Sequence, residues 1–193
     1  MKLQLAIVMA TVITGGAFTL NYAFTDSNDS ANVMQSTAGV LGHLTLTAVD
    51  EDGNVVHYRQ TDNTVVNNGD QCILENLTGI NLSTCAAPTT AYTVVQIGTA
   101  TAAFSETSTG LGAFHAQTGG SWGSTSTSTT DGGASATLTA NFVDVSASIA
   151  EAALINNAVS ASADELALQS FTAINLGTND DLTVQWTVAV DGS

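Results

Sequence analysis

The stretch that most constrains this chain is Leu182 to Val190. Leu182, Val184, Trp186, Val188 and Val190 alternate strictly with Thr183, Gln185, Thr187 and Ala189. A period of two puts every second side chain on one face of an extended strand, so the apolar set predicts a core and the polar set faces water or a neighbour. Ala136 to Val143 repeats the pattern, with Leu138, Ala140 and Phe142 inward. So does Val40 to Val49, where Leu44, Leu46 and Ala48 alternate with His43, Thr45 and Thr47. Between Ala48 and Gln60, Asp50-Glu51-Asp52-Gly53-Asn54 reads as a hairpin turn leading into Val55-Val56-His57-Tyr58-Arg59-Gln60.

Further strands are expected at Ala91–Ile97 and Leu166–Ile174, with turns at Asn68-Gly69 and Asn179-Asp180-Asp181. Ile149–Ile155 fits a helix or a strand equally well. Gly119 to Ser135 is almost all Ser, Thr and Gly around Trp122, and reads as a flexible or O-glycosylated surface loop. One short helix is expected at Asp70–Leu77, with Asp70 as its cap. Many short strands between such turns predict an all-β, jelly-roll-like β-sandwich over residues 40–193, preceded by an N-terminal extension.

The N-terminus carries one positive charge, Lys2, followed by an apolar run from Leu3 to Leu20. That is the layout of a secretory signal, so residues 1–23 are expected to be a signal peptide or a retained apolar segment. Gly15-Gly16 and the threonines make the run a poor membrane span. Residues 24–39 form an arm between this segment and the first strand. Cys72 and Cys85 stand 13 positions apart, and in an exported protein such a pair predicts a disulfide. Sequons at Asn28, Asn76 and Asn81 fit glycosylation of a surface protein.

Charge excludes several partners. Seventeen acidic residues against two basic ones, Lys2 and Arg59, leave a net charge of −15. Neutralising phosphates needs Lys and Arg, so nucleic acid is excluded, and so is attraction to an anionic membrane surface. Arg59 is expected to pair with a carboxylate, either within the subunit or across an interface. The chain has no Walker loop, dinucleotide fingerprint, GxSxG elbow or HExxH. His43, His57 and His115 stand singly, and paired cysteines are no nucleophiles. The expectation is that the protein has no catalytic residues. Calcium is the one cofactor the sequence suggests. Asp50, Asp52 and Asn54 alternate as oxygen ligands do in calcium loops, and a hairpin turn accounts for the same residues.

Gly15-Gly16-Ala17-Phe18-Thr19, then Phe24-Thr25-Asp26-Ser27-Asn28-Asp29-Ser30, then Gly39 and Leu44-Thr45-Leu46-Thr47 resemble the start of TasA/camelysin-type secreted filament subunits and of archaeal bundling pilins. The resemblance covers roughly the first quarter of the chain. It implies an extracellular subunit that polymerises with copies of itself by donor-strand complementation, the arm (Phe18, Phe24, Val33, Val40) completing the sheet of the next subunit. The C-terminal part, from Gln96-Ile97-Gly98-Thr99 through Leu176-Gly177-Thr178-Asn179-Asp180-Asp181-Leu182-Thr183-Val184-Gln185-Trp186-Thr187, is similar to β-sandwich proteins of viral tails and related appendages, which again implies a structural role. Two other readings stand beside it: a pilin that keeps Leu3–Leu20 as a helix, and a surface adhesin or virion-type binding module.

Overall fold

The computed structural model describes residues 39–80, 85, 90–127, 133–156 and 164–191. The chain divides after Ser30, and all the described residues belong to the second unit, Ala31–Ser193. They form ten strands and one helix: β1 Gly39–Val49, β2 Val55–Asp62, β3 Thr64–Val65, α1 Asn67–Thr78, β4 Val94–Gly98, β5 Phe114–Gly119, β6 Ser121–Thr127, β7 Ala134–Phe142, β8 Ser148–Ile155, β9 Glu165–Asn175 and β10 Asp181–Asp191.

The strands build two antiparallel five-stranded sheets packed as a sandwich. One runs β2-β1-β10-β7-β6 and the other β3-β9-β8-β4-β5. Hairpins β1–β2, β4–β5, β6–β7 and β8–β9 each close within one sheet, and the chain changes sheet after β2, β5, β7 and β9. This order establishes the sandwich and goes no further toward a jelly roll.

The alternating strands lie side by side in register, which turns three sequence patterns into one apolar surface. Leu44, Trp186 and Leu138 form one row across β1, β10 and β7. Leu46, Val184 and Ala140 form the next, and Ala48, Leu182 and Phe142 the third. All nine are buried. The opposite face carries the threonines, and Thr137 and Thr187 share a hydrogen bond of 2.9 Å across the ladder. The β1–β2 turn forms as expected, with Gly53 at φ +82°, where a Cβ is disfavoured.

The central strands of the second sheet, β4 and β8, are buried on both faces. The sheet's inner face joins the main core, and Phe104 and Leu111 from the 99–113 connection pack with Val66, Val94, Ala153, Ile155 and Leu168. Burial on both faces removes alternation, so every residue of β8 after Ser148 is buried. That is why Ile149–Ile155 fitted helix and strand alike, and the structure makes it a strand.

Three expectations are corrected. Gly119–Ser135 is not a loop throughout: β6 pairs with β7 from Ser121↔Thr139 to Thr127↔Ala134. Threonine suits an extended backbone, and an edge strand needs few apolar residues because much of it faces water. Asn68-Gly69 is not a turn but the first turn of α1. A Cβ on Gly69 would lie 2.5 Å from the Leu166 carbonyl oxygen, so the glycine serves a close helix–strand approach. Asp70 does not cap the helix. The cap position is Val66, without a side-chain bond, and Asp70 N–H bonds the Val66 carbonyl from inside the helix. The helix is also longer than expected, ending on Gly79 in the left-handed conformation, with its N–H on Glu75 O at 2.8 Å.

Candidate functional site

Among the described residues the sandwich has outer strands on both flanks, β5 and β6 on one and β2 and β3 on the other. On that second flank, and among the described residues, β2 is the outer strand of the first sheet and pairs only with β1. Opposite it, β9 carries the two-residue β3 on its outer edge, across Ala167 and Leu168 alone. From Gln169 to Asn175 that edge of β9 has no ladder partner among the described residues, although it lies beside β2. The two edges run antiparallel and are joined at both ends. His57 Nε2 donates to Asn175 O at 3.1 Å, and Gln169 Nε2 donates to Thr61 Oγ1 at 3.2 Å.

Between these ties β9 bulges. Ile149 pairs with Ile174 and Glu151 with Ser170, so Phe171, Thr172 and Ala173 stand against Ala150 alone. A bulge re-aims side chains and interrupts the ladder. The result is a groove of about 650 Å³ between Arg59, Gln60 and Thr61 on β2 and Ser170, Phe171, Thr172 and Ala173 on β9, with Thr101 at its side.

Arg59 sits midway between the two ties. Its Nε is buried and has no hydrogen-bond partner among the described residues. The ion pair found among them is His43–Asp62, at 3.1 Å and exposed. The expected pairing of Arg59 inside the subunit is therefore not seen in the described part. A guanidinium offers five donors in a rigid fork suited to a carboxylate, and a buried unpaired N–H is costly.

Thr101 owes its place to a buried acid. Glu151 is fully buried on β8, and its carboxylate accepts from Ala100 N (3.2 Å), Gly112 N (2.9 Å) and Ala113 N (2.7 Å). These bonds hold both ends of the 99–113 connection on the outer face of the second sheet. A side chain at Gly98 would overlap the carboxylate, so glycine is required there by the close approach. Sequence reasoning missed this residue, because a lone Glu in an apolar run gives no signal of what it binds.

A second polar cluster surrounds the disulfide. Cys72 and Cys85 are bonded as expected, with Cα atoms 5.1 Å apart, tying α1 to the segment after it. Such a loop contributes about 3 kcal/mol by restricting the unfolded chain. Cys85 Sγ lies 3.3 Å from the buried Asp164 carboxylate, which also accepts from Asn68 Nδ2 (3.2 Å) and Asn156 Nδ2 (2.9 Å). The cysteine sulfurs and Asp164 lie close together, but the sulfurs are spent in the disulfide. Burial, and then the charge of Asp164, raise the Glu165 carboxyl above its ordinary range and also raise the Tyr92 phenol. Burial, then Glu106, raise Asp70.

A carboxyl whose folded pKa is raised favours the folded state below its unfolded pKa and loses that advantage as pH rises through the folded value. Glu165→Gln is therefore expected to unfold at an equal or higher urea concentration than the parent at pH 8, with the difference vanishing near pH 4. Paired urea titrations followed by circular dichroism check this, and a variant less stable at pH 8 than at pH 4, relative to the parent, contradicts it.

Asp50 Oδ1 accepts from the N–H groups of Asp52 (3.0 Å) and Asn54 (2.8 Å), and both its oxygens meet the Asn54 amide. These bonds lower its pKa, the Asn54 N–H most. The turn itself thus uses both Asp50 oxygens. Asn76 is exposed on α1, open to a glycan. Val40 lies in β1 opposite Val190, inside the sandwich rather than in an arm. Phe18, Phe24, Val33, Asn28 and Asn81 lie outside the described residues. His43 and His57 are hydrogen-bonded, and His115 is exposed. No helix among the described residues is long and apolar enough to cross a membrane. Compared with family profiles, with curated proteins and with solved structures, the chain matches none.

Proposed function

We propose that this protein is a secreted, non-catalytic structural subunit of an extracellular filament or pilus, in which an extended segment of one copy adds to the open sheet edge of the next. The observation that carries the reading is the β9 edge from Gln169 to Asn175, short of a strand and facing a groove. Strand addition draws affinity from main-chain hydrogen bonds at such an edge, and natural sheets otherwise cover or blunt it. The disulfide fits an oxidising compartment. The net charge of −15 keeps copies apart until salt or divalent cations screen or bridge the carboxylates.

Negative-stain electron microscopy of the secreted protein, in calcium and again in chelator, tests the reading. Regular filaments are expected, and deleting residues 24–38 is expected to leave a monomer. Filaments from the deleted protein refute strand addition. A second reading, a surface binding module, is favoured by the hydroxyls of Thr61, Thr101, Ser170 and Thr172 around the groove. Monodisperse particles that bind glycan in the groove decide for it.

A further inference from the structure

Arg59 is the one Lys or Arg among the described residues. It stands opposite Leu46 in the β1–β2 ladder, and Leu46 is fully buried. Arg59 therefore lies on the inner face of its sheet, the face shared by His57 and Thr61. Those two neighbours reach across and bond β9. Arg59, between them, lines the groove, where its buried Nε has no hydrogen-bond partner and no carboxylate among the described residues pairs with it. A buried donor left without an acceptor is costly, and a charged acceptor offsets that cost.

The rest of the groove narrows what the acceptor is. Its volume of about 650 Å³ falls within the range of about 300–1,000 Å³ usual for small-molecule sites. The ties at His57–Asn175 and Thr61–Gln169 bound it, about 13 Å apart along β2, which suits a compact molecule. A single guanidinium in a chain of net charge −15 matches one carboxylate, whereas a phosphate dianion or a polyanion carries more charge than the site can balance. Thr61, Thr101, Ser170 and Thr172 line the groove with hydroxyl side chains, and Phe171 adds an apolar wall. That set matches a polyhydroxylated ring, with O–H groups at its rim and C–H groups on its faces.

We infer that the groove binds a sugar carrying one carboxylate, of the uronic or sialic acid class. Arg59 holds the carboxylate through Nε and an adjacent Nη, and the hydroxyl side chains read the ring. This rests on the second reading above, in which the groove takes a ligand, and it names the chemistry of that ligand. Where a strand covers the same stretch of β9, the sugar is excluded.

The test uses the full chain in low salt and chelator, where its charge keeps copies apart. Glucuronate, N-acetylneuraminate, glucose and acetate are titrated by calorimetry, with circular dichroism as the folding control for each variant. At least one acidic sugar is expected to bind with a Kd of about 1 mM or below, and about tenfold or more tighter than glucose or acetate. Arg59→Gln is expected to lose that preference over glucose, and Arg59→Lys, which keeps the charge without the fork, to fall between. Thr101 is exposed, so Thr101→Val leaves the fold intact. It is expected to weaken the acidic sugar about two- to tenfold and to leave acetate unchanged. Glucose binding as tightly as the acidic sugars, or acidic-sugar binding unchanged in Arg59→Gln, overturns the role of Arg59 and leaves a neutral-glycan groove standing. Acetate binding as tightly as either acidic sugar overturns the assignment to sugars. No binding of any of the four up to about 10 mM overturns both the inference and the second reading.

Discussion

Glu151→Ala is expected to lower stability by about 3 kcal/mol or more, and to release the 99–113 connection before the rest of the domain unfolds. The residue is fully buried and its carboxylate accepts three backbone N–H bonds. Each hydrogen bond contributes about 1 kcal/mol, and removing the acceptor strands the donors. Part of that loss is recovered because Gly112 is exposed and water reaches its amide once the connection lifts. Glu151→Gln keeps the shape but puts an NH₂ group where an N–H already points, so it is expected to fall between parent and alanine variant. Urea unfolding gives the stability. Hydrogen exchange at Ala100, Gly112 and Ala113 gives the local effect, with protection lost there first. A Glu151→Ala variant as stable as the parent, with those amides still protected, contradicts the assignment. The effect reaches the groove, because the connection carries Thr101 to its side.

Trp186→Ala is expected to cost about 3–5 kcal/mol, a large share of the 5–15 kcal/mol that holds a domain folded. Trp186 is fully buried at the centre of the three-strand row with Leu44 and Leu138. Truncation leaves a cavity that neighbours on both sides, fixed by their ladders, fill poorly. The indole Nε1 is buried with no partner among the described residues, so Trp186→Phe removes an unsatisfied donor together with some volume. The phenylalanine variant is therefore expected to lose about 1–2 kcal/mol, much less than its smaller size alone implies. Thermal and urea unfolding followed by far-ultraviolet circular dichroism measure both. Equal losses for the two variants contradict the role given to the unpaired N–H.

The strands that face water on one side were legible in the sequence. β1, β7 and β10 announce themselves by alternation, because one face is core and the other is not. The Asp50–Asn54 turn and the Cys72–Cys85 bond were equally plain, each being set by local chemistry over a few residues. β8 was not legible, since burial on both faces erases the period. β6 was read as loop because an edge strand of Ser, Thr and Gly has the composition of a linker, and only pairing with β7 gives it a partner. Gly69 looked like a turn residue, whereas its reason is the Leu166 backbone, nearly a hundred positions away in sequence.

The groove follows the same division. Arg59 stood out by itself, as a rare cation in an acidic chain. That it lines a groove between β2 and β9 depends on β3 stopping after two residues and on the bulge at Phe171–Ala173. The sequence by itself determined the β class, the central sheet, its hairpin turn and its disulfide, because these rest on side-chain periodicity and short-range geometry. Tertiary structure alone decided which strand edges stay open and which buried carboxylate holds a connection in place, because those depend on pairing between residues far apart in the chain.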